Sequence, residues 1–453
     1  MLQRLFYDNL LKWKENPKKK ALLVTGARQV GKTSLIRSFG EAEYKKFVEL
    51  NFLEMPRARD IFRDSRDADS VVLGLSAFLG ESLTPGETLI FLDEIQECPE
   101  ARTAIKFLVE DGRFDYVESG SLLGVNSREV PSYPVGFEEV RRMFPMDFEE
   151  FAMANGIGQD VLKHLAECFH EGRPVQGGVH EAMTKLFRYY VITGGMPAAV
   201  QEFVSSRDIG RVIAVQKDIL ALYRMDIAKY AQSGKEKIRD IFDRIPAQLN
   251  DRNRRFTLAS ISKTARMERY EDSFVWLRDA GVALPCYNVA EPVIPLRFNE
   301  QRTLFKLFLA DTGLLCAAGM ENVQFDILQG DLSVNMGGIL ENTFAQIFAA
   351  NGFPLWYFAK QKYGEVDFVL QSGKTVLPVE IKSGKDFRAH AALGNVLGVK
   401  EWNIEKAVVF CQGNVETVGK VTYLPWYLVM YLRPEALPKM VVSEDFSKLE
   451  VSV

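Results

Sequence analysis

The stretch "ALLVTGARQVGKTSLIRSFG", residues 21–40, joins a short apolar run to a glycine-rich turn and then to a helical pattern. Ala21 to Val24 suits a buried parallel strand. Gly26, Gly31, Lys32 and Thr33 follow in the spacing G-x4-G-K-[ST]. Each residue type has a task in that spacing. Glycines let backbone N–H groups wrap phosphate oxygens, and the helix N-terminus behind them adds positive potential. The spacing therefore predicts a cradle for ATP made by Gly26, Ala27, Arg28, Gln29, Val30, Gly31, Lys32, Thr33 and Ser34. Lys32 is expected to reach the β and γ oxygens, and the Thr33 hydroxyl to ligate Mg2+.

Such a loop needs an acidic strand end beside it, and "GETLIFLDEIQECPE" supplies one. The apolar run from Thr88 to Leu92 ends at Asp93 and Glu94. Asp93 is expected to hold the Mg2+ and its waters, and Glu94 to polarise the attacking water as the catalytic base. A third strand, "FDYVESGSLLG", ends in Ser119 and Ser121. Ser121 is a candidate nucleotide contact, and a plain turn is the other reading of either serine. With "KKFVELNF" as a further strand, strands alternate with helical stretches as a doubly wound α/β sheet requires.

At 453 residues the chain is long enough for two or three domains. Its 47% hydrophobic and 26% charged residues, without repeats or low-complexity tracts, describe a globular protein. No run of eighteen apolar residues occurs, so no membrane partner is expected. The opening residues lack the apolar core and cleavage site of a signal peptide. Cys98, Cys168, Cys286, Cys316 and Cys411 are scattered without metal-ligand spacing, which fits a reducing cytoplasm. A net charge of −4 gives the whole chain no nucleic-acid footprint, yet residues 235–270 hold ten Lys/Arg against five Asp/Glu. That local excess is open to two readings, DNA contact or a solvated helical face.

From about Phe148 to Ala231 the pattern is helical, broken by "GRPVQGG" and "TGGMPAAV", and is expected to form a lid over the nucleotide. Beyond it, Leu258 to about Thr264 reads as a short helix and Tyr270, Phe274 and Leu277 as one face of a longer one. Gly281 ends that helix, and "VALPCYNV" suits a strand of a wing. Arg252, Arg254, Arg255, Lys263, Arg266 and Arg269 lie on or just before this winged-helix pattern.

Near the other end, "EVDFVLQSGKTVLPVEIKSG", residues 365–384, holds two β-type runs around a turn. A two-residue turn at Ser372-Gly373, or a four-residue one from Gln371 to Lys374, sets Asp367 opposite Pro378. Strand alternation then brings Asp367, Glu380 and Lys382 to one face. On that face Asp367 and Glu380 are able to share a divalent metal, with Lys382 orienting the hydrolytic water. The bland reading is a half-exposed hairpin. Upstream, "GGILENTFAQIFAANG" is a helix in which Glu341 falls about 20° from Phe348, at the edge of the buried stripe. A carboxylate there needs a partner or a metal, unless it stays near the surface in the first turn.

In this order "GARQVGKTS", "LDEIQECP", "SGSLLG", "YPVGFEEVRRMFPMDFEEF", "GGMPAAV", "IPAQLNDRNRRF", "FKLFLADTGLL", "GGILENTFAQ", "EVDFVL" and "PVEIKSG" resemble bacterial and archaeal ATPases with an AAA-type N-terminal half and a C-terminal domain of unknown function. The resemblance implies ATP binding, a central winged helix and a C-terminal α/β domain similar to restriction-endonuclease-like PD-(D/E)xK nucleases. Its active-site positions match Glu341, Asp367 and Glu380 as metal ligands, with Glu380 and Lys382 in catalysis. The expected division is an ATPase core at 1–150, a helical lid at 151–232, a winged helix at 233–297 and the nuclease-like domain at 298–453. Where the family shows a basic residue after "PVG", this chain has Gly136-Phe137, with Arg141 and Arg142 as candidate substitutes. Two function classes stand at this stage. One is an ATP-driven enzyme acting on DNA; the other is an ATP switch that binds nucleic acid, a protein partner or itself without cutting.

Overall fold

The computed structural model describes residues 2–63, 65, 67–120, 134–231, 234–251, 254–258, 267–320, 324–329 and 336–436. Ser121, Arg252, Lys263 and Arg266 fall outside them, as does most of the helix expected from Leu258 to Thr264.

Strands β1 (Ala21–Thr25), β2 (Lys46–Asn51), β3 (Thr88–Asp93), β4 (Asp115–Gly120) and β5 (Glu138–Arg142) form one sheet in the order β2-β3-β4-β1-β5. All its pairings are parallel. The apolar runs fill the interior: β1 and β3 are buried along their whole length, as strands covered on both faces must be. Helices α1 (Phe6–Glu15), α2 (Lys32–Glu43), α3 (Ala58–Arg63), α4 (Ala68–Leu79) and α5 (Pro99–Asp111) accompany this sheet.

The region expected to form a lid folds as α6 (Phe148–Ala154), α7 (Gln159–Glu171), α8 (Gly177–Thr193), α9 (Pro197–Ser206) and α10 (Ile209–Tyr230). Two of these helices start with a side-chain cap, Asp147 on α6 and Asp208 on α10. Next come α11 (Lys235–Asn250) and α12 (Glu271–Asp279), and Gly281 ends the latter at a φ of 79°.

The strand expected to open a wing is β6 (Ala283–Val289). It pairs antiparallel with β7 (Glu300–Leu309) and, on its other edge, parallel with β8 (Trp356–Lys360), which pairs with β9 (Gly364–Val366). The expected division at 297/298 thus falls inside a hairpin, and the central and C-terminal parts share a sheet. After α13 (Thr312–Gly319), α14 (Gln324–Gln329) and α15 (Met336–Ala350), a second mixed sheet is built from β10 (Phe368–Ser372), β11 (Thr375–Ile381), β12 (Ala407–Cys411), β13 (Glu416–Val418) and β14 (Val421–Pro425), with α16 (Ala391–Leu397) crossing from β11 to β12.

One apolar core runs from Leu10 on α1 through the lid to Phe344 on α15 and Trp426. At its centre the quoted phrases meet. The buried Asp311 carboxylate accepts from the N–H groups of Gly195 at 2.6 Å and Leu314 at 2.9 Å. Gln346 accepts from Thr312 N–H at 2.8 Å and donates to the Tyr190 hydroxyl at 3.0 Å. Gly195 is required there, because a Cβ would overlap the carbonyl oxygen of Met146. Buried polar groups that are each satisfied by a specific partner fix one arrangement of α8, α13 and α15.

Candidate functional site

The loop after β1 adopts the wrapped form that the glycines allow: φ is 151° at Gly26, 65° at Gln29 and 94° at Gly31. Lys32 Nζ lies 3.0 Å from the carbonyl oxygens of both Gly26 and Ala27. Burial pushes the Lys32 ammonium down from its ordinary pKa, against the pull of Glu94 and Asp93. Arg4 was not legible as a contributor. Its guanidinium donates to Val30 O and Phe144 O, each at 2.7 Å, and to Glu150 Oε1 at 3.0 Å, so it braces the loop from behind.

Asp93, at the end of β3, is the hub. Its Oδ2 accepts from Thr33 Oγ1 and Asn51 Nδ2, each at 3.1 Å, and its Oδ1 accepts from the Ser119 hydroxyl. Ser119 reaches it because β4 lies between β1 and β3. Burial raises the Asp93 pKa, and the Ser119 bond opposes that rise. Thr33 and Asp93 therefore form an oxygen donor pair of the kind Mg2+ takes, beside a lysine held by two loop carbonyls. The residues fit Mg2+ and a nucleotide phosphate. Glu94 sits in the left-handed region at φ 53°, which turns its carboxylate out of the strand line; Gln96 donates to it.

A cleft beside Lys32 and Glu94 is lined also by Arg28, Gln96, Tyr223, Asp226 and Trp276, among others. Helices α10 and α12 thus both reach the phosphate cradle. The candidate substitutes for a basic residue at 137 point elsewhere. Arg141 pairs with Glu139 and donates to Asn9 O, and Arg142 donates to Arg278 O at 3.2 Å.

The C-terminal residues are brought together, with one change of register and one of chemistry. The β10–β11 turn is Gly373-Lys374, so Pro378 pairs with Val369 and the same register carries Asp367 opposite Glu380. The turn keeps two residues but starts one position later, with Gly373 supplying a φ of 57°. Its even length preserves the shared face. Asp367 Oδ2 accepts from Ile381 N–H at 2.8 Å, and Lys382 Nζ lies 3.6 Å from Glu380 Oε2.

Cations already fill the space between these acids. Lys306 of β7 is fully buried, 3.0 Å from Glu341 Oε2 and 2.7 Å from Glu365 Oε1. Arg254 pairs with Glu341 and lies 4.0 Å from Asp367, and Arg255 lies 3.9 Å from Glu365. Burial, and then the neighbouring Asp367, raise the Glu380 pKa well above the usual carboxylate range. Four carboxyls (341, 365, 367 and 380) thus face four cationic side chains (254, 255, 306 and 382). Among the described residues no three acids, histidines or cysteines are gathered for a metal ion. The metal expected on Glu341, Asp367 and Glu380 does not fit this arrangement. Arg254 and Arg255, for which DNA contact was one of two readings, are partly buried and lie beside these acids. The signal for Lys306 was present in the sequence: a lone lysine inside the apolar run "TLFKLFL".

The parallel sheet, the glycine loop and the acidic strand end define a P-loop ATPase-like domain of the AAA type. Comparison with known families agrees: residues 18–152 match the AAA domain family. Residues 184–324 and 336–428 match two domains of unknown function, DUF8612 and DUF4143. No curated protein matches the chain. Among solved structures it is similar to a Walker-type ATPase of Pyrococcus abyssi, at 14% identity, covering 70% of this chain and 96% of that one with a TM-score of 0.41. It is also similar to the Aeropyrum pernix ORC1 protein in complex with DNA, at 14% identity, 72% and 90% coverage and a TM-score of 0.27. A RuvB of Thermotoga maritima gives 14%, 61% and 87%, and 0.29. No helix among the described residues is long and apolar enough to cross a membrane.

Proposed function

We propose that the protein is a Mg2+-dependent ATP hydrolase whose nucleotide state acts on its central winged-helix and C-terminal parts. The observation that carries this reading is the Asp93 hub, which ties Thr33, Asn51 and Ser119 to one carboxylate beside Lys32 and Glu94. Thr33 and Asp93 would hold the Mg2+, which would neutralise charge on the phosphate oxygens. Lys32 binds the β and γ oxygens, the glycine loop orients them through backbone N–H groups, and Glu94 orients the attacking water and accepts its proton. Lys32→Ala is expected to lose ATP binding. Glu94→Gln is expected to keep binding and to lower turnover by about 10²–10⁴-fold. Full turnover in either variant would sink the mechanism.

The order helix α15, hairpin β10–β11, helix α16 and parallel strand β12 supports a restriction-endonuclease-like C-terminal domain. Of its two roles, cutting DNA or binding a partner without cutting, the second is favoured by Lys306 and Arg254 among the acids. Purified protein incubated with DNA and Mg2+ or Mn2+ decides between them. Cleavage that disappears in Asp367→Ala would restore the nuclease.

A further inference from the structure

Arg28 stands at the apex of the phosphate loop, beside the positive φ of Gln29, and is tethered twice to lid helix α10. Its Nη1 donates to Asp226 Oδ1 at 2.6 Å, and its carbonyl oxygen accepts from the Tyr223 hydroxyl at 3.1 Å. Tyr223 and Asp226 are three residues apart, so both contacts come from one helix face. Arg28, Lys32, Glu94, Tyr223 and Asp226 all line the same cleft. Both cations of the cradle are therefore held by protein oxygens, Lys32 by loop carbonyls and Arg28 by a carboxylate. About half of the Arg28 side chain is exposed, so its guanidinium has room to turn.

We propose that Asp226 and the γ-phosphate of ATP compete for Arg28, which makes Arg28 the residue that distinguishes ATP from ADP and Asp226 the positioning residue that holds it between turnovers. This rests on ATP binding at the loop. A terminal phosphate offers more charge and more acceptor oxygens than one carboxylate, in the bidentate geometry a guanidinium prefers. ADP lacks that group and leaves the Asp226 pair closed. Opening the pair removes one of the two tethers and leaves the C-terminal half of α10 joined to the loop by the Tyr223 hydroxyl alone. The same helix carries Gln216, whose amide donates to the carbonyls of Ile192 and Thr193 at 2.8 and 2.9 Å, next to the Gly195–Asp311 junction. Helix α10 is thus a rigid link from the nucleotide to the point where lid, α13 and α15 meet.

The test uses the full chain, with ATPγS and ADP titrated in Mg2+ by calorimetry. Asp226→Asn is expected to tighten ATPγS by about two- to fivefold, the factor that an exposed ion pair represents, and to leave ADP unchanged. Arg28→Ala is expected to weaken ATPγS alone, and adding Asp226→Asn to it is expected to change neither affinity. Hydrogen exchange in residues 219–230 should rise with ATPγS relative to ADP in the wild type and not in Arg28→Ala. Equal effects of Asp226→Asn on both nucleotides, or no effect on either, would overturn the competition while leaving ATP binding intact. A wild type that binds neither nucleotide overturns both the competition and the function on which it rests.

Discussion

Lys306 Nζ lies 3.0 Å from Glu341 Oε2 with no part of its side chain exposed, and its second partner, Glu365, is 2.7 Å away. Removing one member of a buried pair leaves the other charge uncompensated, at a cost of about 3–5 kcal/mol. Lys306→Met is therefore expected to lose about that much stability in denaturant unfolding. Lys306→Met combined with Glu341→Gln should recover a large part of it, because both charges are then gone. A Lys306→Met protein as stable as the wild type would show that the pair is not the anchor of this cluster.

The same cluster predicts an ion count. In the full chain saturated with ADP, Mn2+ titration followed by electron paramagnetic resonance is expected to find one bound ion, at Thr33 and Asp93. Asp367→Asn should leave that count unchanged. A second ion that vanishes in Asp367→Asn would establish a C-terminal metal centre.

Gly281 connects α12 to the phosphate loop. A Cβ at this position would lie 2.9 Å from Ala27 N and 3.2 Å from an Arg142 nitrogen, and the φ of 79° already disfavours any side chain. Gly281→Ala should cost about 1 kcal/mol or more in stability. It should also weaken ATP binding by up to about tenfold, since 1.4 kcal/mol of loop strain corresponds to that factor. Calorimetric ATP affinity against that of the wild type checks the effect.

Asp311 gives a pH dependence. Burial raises its carboxyl pKa to about 6, while N–H groups of Gly195, Leu314 and Gly313 hold the rise back. A raised carboxyl favours the folded state most at pH values below its ordinary value of 3.8, and that contribution is lost as pH rises through about 6. Asp311→Asn is expected to destabilise by about 1–3 kcal/mol, because one N–H loses its acceptor. The wild type's advantage over it should narrow as pH rises from 4 to 7. Unfolding midpoints that stay equally far apart across this range would contradict the assignment.

Much of the nucleotide site was legible because its chemistry is local. The G-x4-G-K-[ST] spacing dictates a wrapped loop, and an apolar run ending in Asp93-Glu94 dictates an acidic strand end beside it. Ser119 stood at a strand end with a plain turn as its other reading, and its bond to Asp93 was not legible. Asn51, Arg4, Tyr223 and Asp226 were not legible either, since each reaches the site from an element whose position depends on the packing of the whole sheet and lid.

At the other end, the sequence by itself determined that an even β10–β11 turn keeps Asp367 and Glu380 on one face, because strand side chains alternate with period two; that the turn is even was decided by the structure. It also marked Glu341 as a carboxylate that burial would force to find a partner. Which partner it found was decided only by tertiary structure. Lys306 is thirty-five residues away on β7, and Arg254 comes from the segment after α11. A buried carboxylate needs hydrogen-bond donors, a proton or a positive neighbour, and for Glu341 either an ammonium or a metal would serve. Only the packing of β7 against α15 placed the ammonium there first.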